Sequence, residues 1–242
     1  MLSAPEILNR EFLEIRCKVL ELAAAFERHR PDSVSCVVIH PATGEILALA
    51  NVPTFDPNHL DQGTVGDRRN RLVADLHEPG STFKVVTAIA AIDTGRFQPI
   101  SELDGSNGIP ISGLPLNNAG SEDFGRISLT FALTKSVNTV WAQVGEQLGA
   151  NTMERYMRLF GLGVKADVGL PESPGILAPS TQWNGSQRYT VLFGQGLSLN
   201  TLQAAQVFAT IANDGVRVPP SIVAGSTSAD GTHHVTPARQ PV

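Results

Sequence analysis

A chain of 242 residues is long enough for one large domain or two small ones. Its 42% hydrophobic and 17% charged residues permit a substantial core and exclude a disordered chain. A formal net charge of -5, with no long basic run and no aromatic-basic interleaving, gives no case for nucleic-acid binding.

In chain order, Pro5 to about Arg28 reads as an amphipathic helix, with Leu8, Phe12, Ile15, Val19, Leu22 and Phe26 at helical spacing. Cys17 falls in this helix and Cys36 in the next strand, so each reads as a small buried hydrophobe, not half of a bridge. Val34 to Ile39 and Glu45 to Ala50 form a hairpin about the turn Ala42-Thr43-Gly44. The polar stretch that follows, ending "RNRLVADL", reads as loop or short helix.

"HEPGSTFK", His77 to Lys84, leads into "VVTAIAAIDTG", a helix apolar around much of its girth that stops near Gly95. "RFQPISELDGSNGIPISGLPLNNAG" is an irregular excursion with short extended pieces. A short helix ends near Lys135, another begins near Asn138, and a third covers Met153 to Phe160. "PESPGILAP" is turn-rich. "NTLQAAQVFATIANDG" is a helix whose buried face is assigned to Leu202, Ala205, Val207, Phe208 and Ile211. From Gly225 onward the chain is small and polar. The expected division is a helical segment over 1–30 and one domain over 31–242, without a firm linker.

Two short motifs can carry chemistry. Ser81 and Lys84 stand at i and i+3, where side chains share one helix face. Lys84 could then take the hydroxyl proton of Ser81, provided burial or another cation lowers its pKa. The same residues also suit a bland arrangement, with Ser81 capping the helix and Lys84 solvated. Ser136-Val137-Asn138 is the second motif: its hydroxyl and amide could converge on a cleft, or either residue could cap the helix of Val140, Trp141 and Val144. Gly194-Gln195-Gly196 is assigned to structural support, Glu172 to a loop without catalytic consequence, and Trp141 and Trp183 to packing. The six histidines lack metal-ligand spacing, so no metal site is expected from them. No apolar run reaches bilayer-spanning length and no signal peptide is recognisable, so no intrinsic membrane anchor is expected.

A serine-x-x-lysine followed by a serine-x-asparagine occurs in that order in penicillin-binding proteins and serine β-lactamases. Through "HPATGEILALANVPTFDPN", "NRLVADLHEPGSTFK", "TKSVNTV" and "FGQGLSLNTLQAAQVFATIANDGVRVPP", the chain resembles the transpeptidase domain of class B, division-type penicillin-binding proteins. The resemblance runs from about Val34 to Pro220. It implies an α/β (α+β) penicillin-binding transpeptidase or serine β-lactamase-like fold, with an N-terminal β-hairpin and a large helical part. It also implies acyl transfer on peptidoglycan stem peptides, with Ser81 as nucleophile, Lys84 as base, Ser136 as proton relay and Asn138 orienting the donor or Lys84. β-Lactams would acylate Ser81, and no cofactor would be needed.

The family's third motif, Lys-Thr-Gly, does not occur in the 242 residues. The expectation is therefore an incomplete domain of little autonomous activity, whose sheet is completed by a downstream segment or a partner. The alternative is a non-enzymatic remnant or interaction protein keeping part of the fold; a serine β-lactamase is a third reading, disfavoured by the "HEPG" lead and the late helix. Family members are anchored at the cell membrane facing the wall. Without a recognisable leader or anchor, the location of this chain stays unknown, the cytoplasm included.

Overall fold

The computed structural model describes residues 21, 24, 27–111 and 113–235. The helix expected from Pro5 falls mostly outside them, as does Cys17; Glu21, Ala24 and 27–29 are helical. In chain order the elements are β1 (Val34–Ile39), β2 (Ile46–Val52), α1 (Arg71–Ala74), α2 (Lys84–Asp93), β3 (Glu102–Asp104), β4 (Ile109–Ile111), β5 (Leu114–Leu116), β6 (Arg126–Ser128), α3 (Leu129–Thr134), α4 (Asn138–Leu148), α5 (Ala150–Leu159), α6 (Gln187–Thr190), α7 (Thr201–Ala212), β7 (Gly225–Thr227) and β8 (His233–Val235). Two compact units result. One is drawn from Met1–Asp75, Lys165–Ser173 and Asn200–Val242, the other from Leu76–Val164 and Pro174–Leu199. The chain passes between them several times, which is why no single linker is visible in the sequence.

In the first unit β1 and β2 pair antiparallel, Val34 opposite Val52 and Val37 opposite Leu49, with an irregularity at Val38/Ile39. Leu72 and Val73 of α1, Val168 and Leu202 form the buried centre, on which Val37, Ile39, Ile46 and Leu49 pack. Each such aliphatic side chain contributes about 1.5–3 kcal/mol when fully buried. The short polar-flanked "RLVA" is thus a core element despite its length.

α7 is held by a capping box: Asn200 Oδ1 accepts from the Gln203 N–H at 2.8 Å, and Gln203 Oε1 accepts from the Asn200 N–H at 3.0 Å. Asn200 Nδ2 also donates to the carbonyls of Val73 and Ser173, at 3.2 and 3.0 Å. The buried face of α7 differs from the expected one. Leu202, Gln203, Gln206, Val207 and Thr210 are buried, whereas Phe208 is 48% and Ile211 38% exposed. Gln203 closes the capping box, and with Gln206 and Thr210 three of these five buried residues are polar, so apolar periodicity misplaces the inward stripe. The described part of the polar segment from Gly225 to Val235 contains a strand pair. β7 and β8 pair across a turn at Asp230-Gly231, closed by Asp230 Oδ1 accepting from the Thr232 N–H at 2.9 Å.

Glu172 is buried. Its Oε2 accepts from the N–H groups of Ala166 and Asp167 at 2.8 and 3.2 Å, and its Oε1 from Val168 at 2.6 Å. The carboxylate therefore closes the 165–173 loop against the core that Val168 joins. Either flip of a glutamine amide would point its NH2 at an N–H. Glu172→Gln is expected to lower stability by about 2 kcal/mol, read as a lower urea midpoint at unchanged m-value. An unchanged midpoint would refute the assigned role.

In the second unit α2 packs on α4 and α5. Trp141, at 0% exposed, is central to α4 and donates from Nε1 to the Ala132 carbonyl at 3.4 Å. Trp183 is buried and donates to the Ala178 carbonyl at 2.9 Å. Both tryptophans pack, as expected. α5 begins at Ala150, one turn before the expected start, because Gly149 at φ 82 redirects the chain directly out of α4. The irregular excursion resolves into two small antiparallel pairs, β3–β6 and β4–β5. The apolar girth of α2 is not wholly covered: Ile92 near its end is 45% exposed. Among the described residues no helix is long and apolar enough to cross a membrane.

Candidate active site

All four residues singled out in the sequence lie in the second unit, and the fold brings them together. "GSTF" is a 3-10 turn over Gly80–Phe83 that runs straight into α2 at Lys84. In a 3-10 turn, side chains at i and i+3 eclipse rather than merely share a face. Lys84 Nζ consequently reaches Ser81 Oγ at 3.1 Å. The capping alternative for Ser81 fails: the turn's N-cap is Pro79, that of α2 is Phe83, and neither makes a side-chain cap bond. Ser81 is exposed, while Lys84 is 1% exposed.

The turn is seated by two glycines. The Gly80 N–H donates to the Gly194 carbonyl at 2.9 Å, with Gly80 at φ 57 and Gly194 at φ 83. A Cβ on Gly194 would lie 2.1 Å from the Gly80 oxygen, so only glycine permits this approach. Beside it the Gly196 N–H donates to Glu78 Oε1 at 2.7 Å, and the backbones of His77 and Leu199 exchange bonds at 3.0 Å. The "GQG" segment therefore supports the backbone that carries Ser81.

Ser136 and Asn138 arrive from the junction of α3 and α4. Ser136 adopts φ 57, a left-handed conformation that is costly for serine and turns the chain sharply between the two helices. Its carbonyl and its Oγ both face Lys84 Nζ, at 2.6 and 2.8 Å. Asn138 Oδ1 lies 2.6 Å from the same nitrogen. Neither residue caps α4 with its side chain; the N-cap is Val137, without a side-chain bond.

Lys84 Nζ thus has four oxygens in reach, two of which, Ser136 O and Asn138 Oδ1, can only accept. They take two N–H groups. The remaining tetrahedral position is a third N–H in the ammonium, or a lone pair able to receive the Ser81 proton in the neutral amine. Burial pushes the Lys84 pKa down to about 8, because few waters remain to solvate the charge. The Phe193 ring, 5.9 Å from Nζ, closes another side. Ser81, by contrast, can meet a large substrate. An exposed hydroxyl against a buried amine of lowered basicity is an arrangement able to generate an alkoxide-like nucleophile near neutral pH.

The sequence reading missed Asn117 and Asn118. Asn138 Nδ2 donates to the Asn117 carbonyl at 3.3 Å, and the buried Asn118 side chain engages Thr139. No local pattern points to them; they lie 21 residues from their partners.

The family model described as "Penicillin binding protein transpeptidase domain" matches residues 34–242. Penicillin-binding protein PbpB of Mycolicibacterium smegmatis is 40% identical over 203 residues, which are 83% of this chain and 31% of that protein. The peptidoglycan D,D-transpeptidase FtsI of Escherichia coli is 33% identical over 205 residues, 84% of this chain and 34% of that one. The chain thus spans about a third of the length of these relatives. Among solved structures, penicillin-binding protein 3 of Mycobacterium tuberculosis in complex with aztreonam superposes with a TM-score of 0.83 at 34% identity. That match covers 92% of this chain and 50% of that one. The resemblance first carried by the two short motifs therefore extends over the whole second unit and most of the first, and the chain belongs to the penicillin-binding protein transpeptidase-domain family, in its class B branch.

Proposed function

We propose that the Ser81–Lys84–Ser136–Asn138 cluster performs serine acyl transfer on D-alanyl-D-alanine stem peptides of peptidoglycan and is acylated by β-lactams. The observation that carries this reading is the buried Lys84 nitrogen held between Ser81 Oγ and two obligate acceptors. Neutral Lys84 takes the Ser81 proton as Oγ attacks the carbonyl carbon between the two D-alanines. The Ser81 N–H, which precedes the first bond of the turn, is one donor for the oxyanion. Collapse of the tetrahedral adduct breaks the C–N bond. The terminal D-alanine leaves with a proton relayed from Lys84 through Ser136, and the stem remains as a Ser81 ester. An amine of a second stem then attacks this ester, loses a proton to Lys84, and returns Ser81 to its hydroxyl form. A β-lactam follows the same first half, its ring amide opening onto Oγ.

Asn138, fixed against Lys84, keeps Nζ aimed at the hydroxyl. No metal or organic group enters these steps. The stem peptides lie on the wall side of the membrane, so the chain acts there in this reading. Strands added to the β1–β2 sheet, from the same polypeptide or a partner, belong to it as well.

The test is labelling by a fluorescent penicillin, resolved on a denaturing gel. The folded protein is expected to take up to one equivalent of label covalently, slowly because the Lys-Thr-Gly motif is not among its residues, and Ser81→Ala none. Absence of label on folded protein would favour a binding or remnant role, and sustained penicillin turnover a β-lactamase.

A further inference from the structure

The helix that carries Asn138 lacks a cap of its own. Val137 stands at the N-cap and has no polar atom, while the neighbouring side chains able to cap, Ser136 and Asn138, are both committed to Lys84. The first N–H groups of a helix nonetheless need acceptors, above all when buried. Here the acceptor comes from elsewhere in the chain. Asn118 Oδ1 receives the Thr139 N–H at 3.1 Å and the Thr139 Oγ1–H at 3.2 Å. Asn118 Nδ2 donates to the carbonyls of Gly105 and Glu122, both at 3.0 Å. Its own N–H donates to Asn107 Oδ1 at 2.9 Å. Every hydrogen-bonding position of the Asn118 side chain is filled, and the residue is 5% exposed. Asn118 therefore serves as a remote cap, locked on one side to the β3–β6 and β4–β5 excursion and on the other to α4.

That lock has a consequence at the site. An asparagine amide can face a neighbour with its oxygen or, rotated by half a turn, with its nitrogen. Asn138 presents its oxygen to Lys84 because Nδ2 is engaged on the other side by the carbonyl of Asn117, the residue adjoining Asn118. We propose that Asn118 is a positioning residue for this site: by fixing the Asn117 carbonyl and the first turn of α4 together, it sets which end of the Asn138 amide faces Lys84. The inference deepens the acyl-transfer reading and rests on it for its catalytic meaning, but not for its geometry. Around Nζ itself stand Ser81, Ser136, Asn138 and the Phe193 ring; among the described residues no charged side chain bonds to it.

The experiment is a pH titration of Lys84 in the full chain, followed by the NMR shift of its labelled Cε and needing no turnover, alongside the pH profile of penicillin labelling. In Asn118→Ala the Asn138 amide is free to turn. The ammonium then loses an acceptor, so the midpoint should fall by about one unit and the plateau labelling rate by roughly tenfold. Thr139→Val, nearly isosteric, removes one of the two protons held by Asn118 Oδ1 and should move both readings the same way by less. It decides the matter if Asn118→Ala does not fold. Tyr156→Phe, which removes the hydroxyl that donates to Asp93 in the same unit, serves as the control. It should lower the melting temperature without moving the Lys84 midpoint. A folded Asn118→Ala or Thr139→Val protein with the parental midpoint would overturn the proposal, as would an equal shift in Tyr156→Phe. Lack of penicillin labelling in the parent, with the NMR shift still present, would instead refute the acyl-transfer reading and leave the positioning role standing.

Discussion

Lys84→Met should reduce the rate of Ser81 acylation by roughly a thousandfold, the range for loss of a positioned general base. Methionine nearly matches the lysine stem in volume, so the packing of α2 against α4 and α5 is retained and the loss reports on the nitrogen itself. In the parent, the acylation rate should climb with pH through about 8 and then level, because only neutral Lys84 can accept the hydroxyl proton. Stability carries the same signature. The folded pKa is depressed below the ordinary lysine value of 10.5. Above that value both states are neutral and the cost of burying the charge is absent. As pH falls through the window from 10.5 to about 8 the cost appears, and below about 8 it is present in full. Lys84→Met should abolish the part of the stability change that falls in this window. A flat acylation profile between pH 7 and 9, or an acylation rate in Lys84→Met within a few-fold of the parent, would exclude Lys84 as the base.

Gly194→Ala should damage both the stability of the second unit and the placement of Ser81. The added carbon would sit 2.1 Å from the Gly80 oxygen, and the backbone there, at φ 83, already disfavours any side chain. Overpacking of this kind costs about 1–3 kcal/mol and a strained left-handed residue about 1 kcal/mol more. Relief requires Gly80 to move, and Ser81 with it. Displacing a nucleophile by about 1 Å costs on the order of a hundredfold in rate. Both a lower melting temperature and slowed penicillin labelling are therefore expected. Gly215→Ala, also at positive φ but with open space around its Cβ position, should show the strain alone and acylate normally. Equal acylation rates in the two variants would show that the Gly80–Gly194 approach does not place Ser81.

Much of this site was legible in the residues, for local reasons. Ser81 and Lys84 are three apart, so any helical turn brings them together, and the 3-10 geometry tightened that expectation. Away from the site, the capping box of Asn200 with Gln203 is likewise a purely local structure, between residues three apart. The break between Lys135 and Asn138 was visible as an interruption of period. Its meaning was not. The left-handed Ser136 has no sequence signature, and serine and asparagine at a helix start read equally well as caps.

Where periodicity alone spoke, it erred. It placed Phe208 and Ile211 inside, although the inward face of α7 carries Gln203, Gln206 and Thr210. Gln203 is held there by the capping box and Thr210 by a bond from its hydroxyl to the Gln206 carbonyl, roles to which hydropathy is blind.

By itself, then, the sequence determined what depends on near neighbours: the β1–β2 hairpin, the pairing of Ser81 with Lys84, the cap of α7 and, through ordered motifs, the family. Tertiary structure alone decided what depends on distant segments. It placed Ser136 and Asn138, 52 and 54 residues from Lys84, around one nitrogen. It set Gly194 against Gly80, and gave α4 a cap from Asn118. The physical reason is common to all three. A buried amine, a helix end and a close backbone crossing each need a partner of defined chemistry, and no spacing rule says which distant residue will supply it.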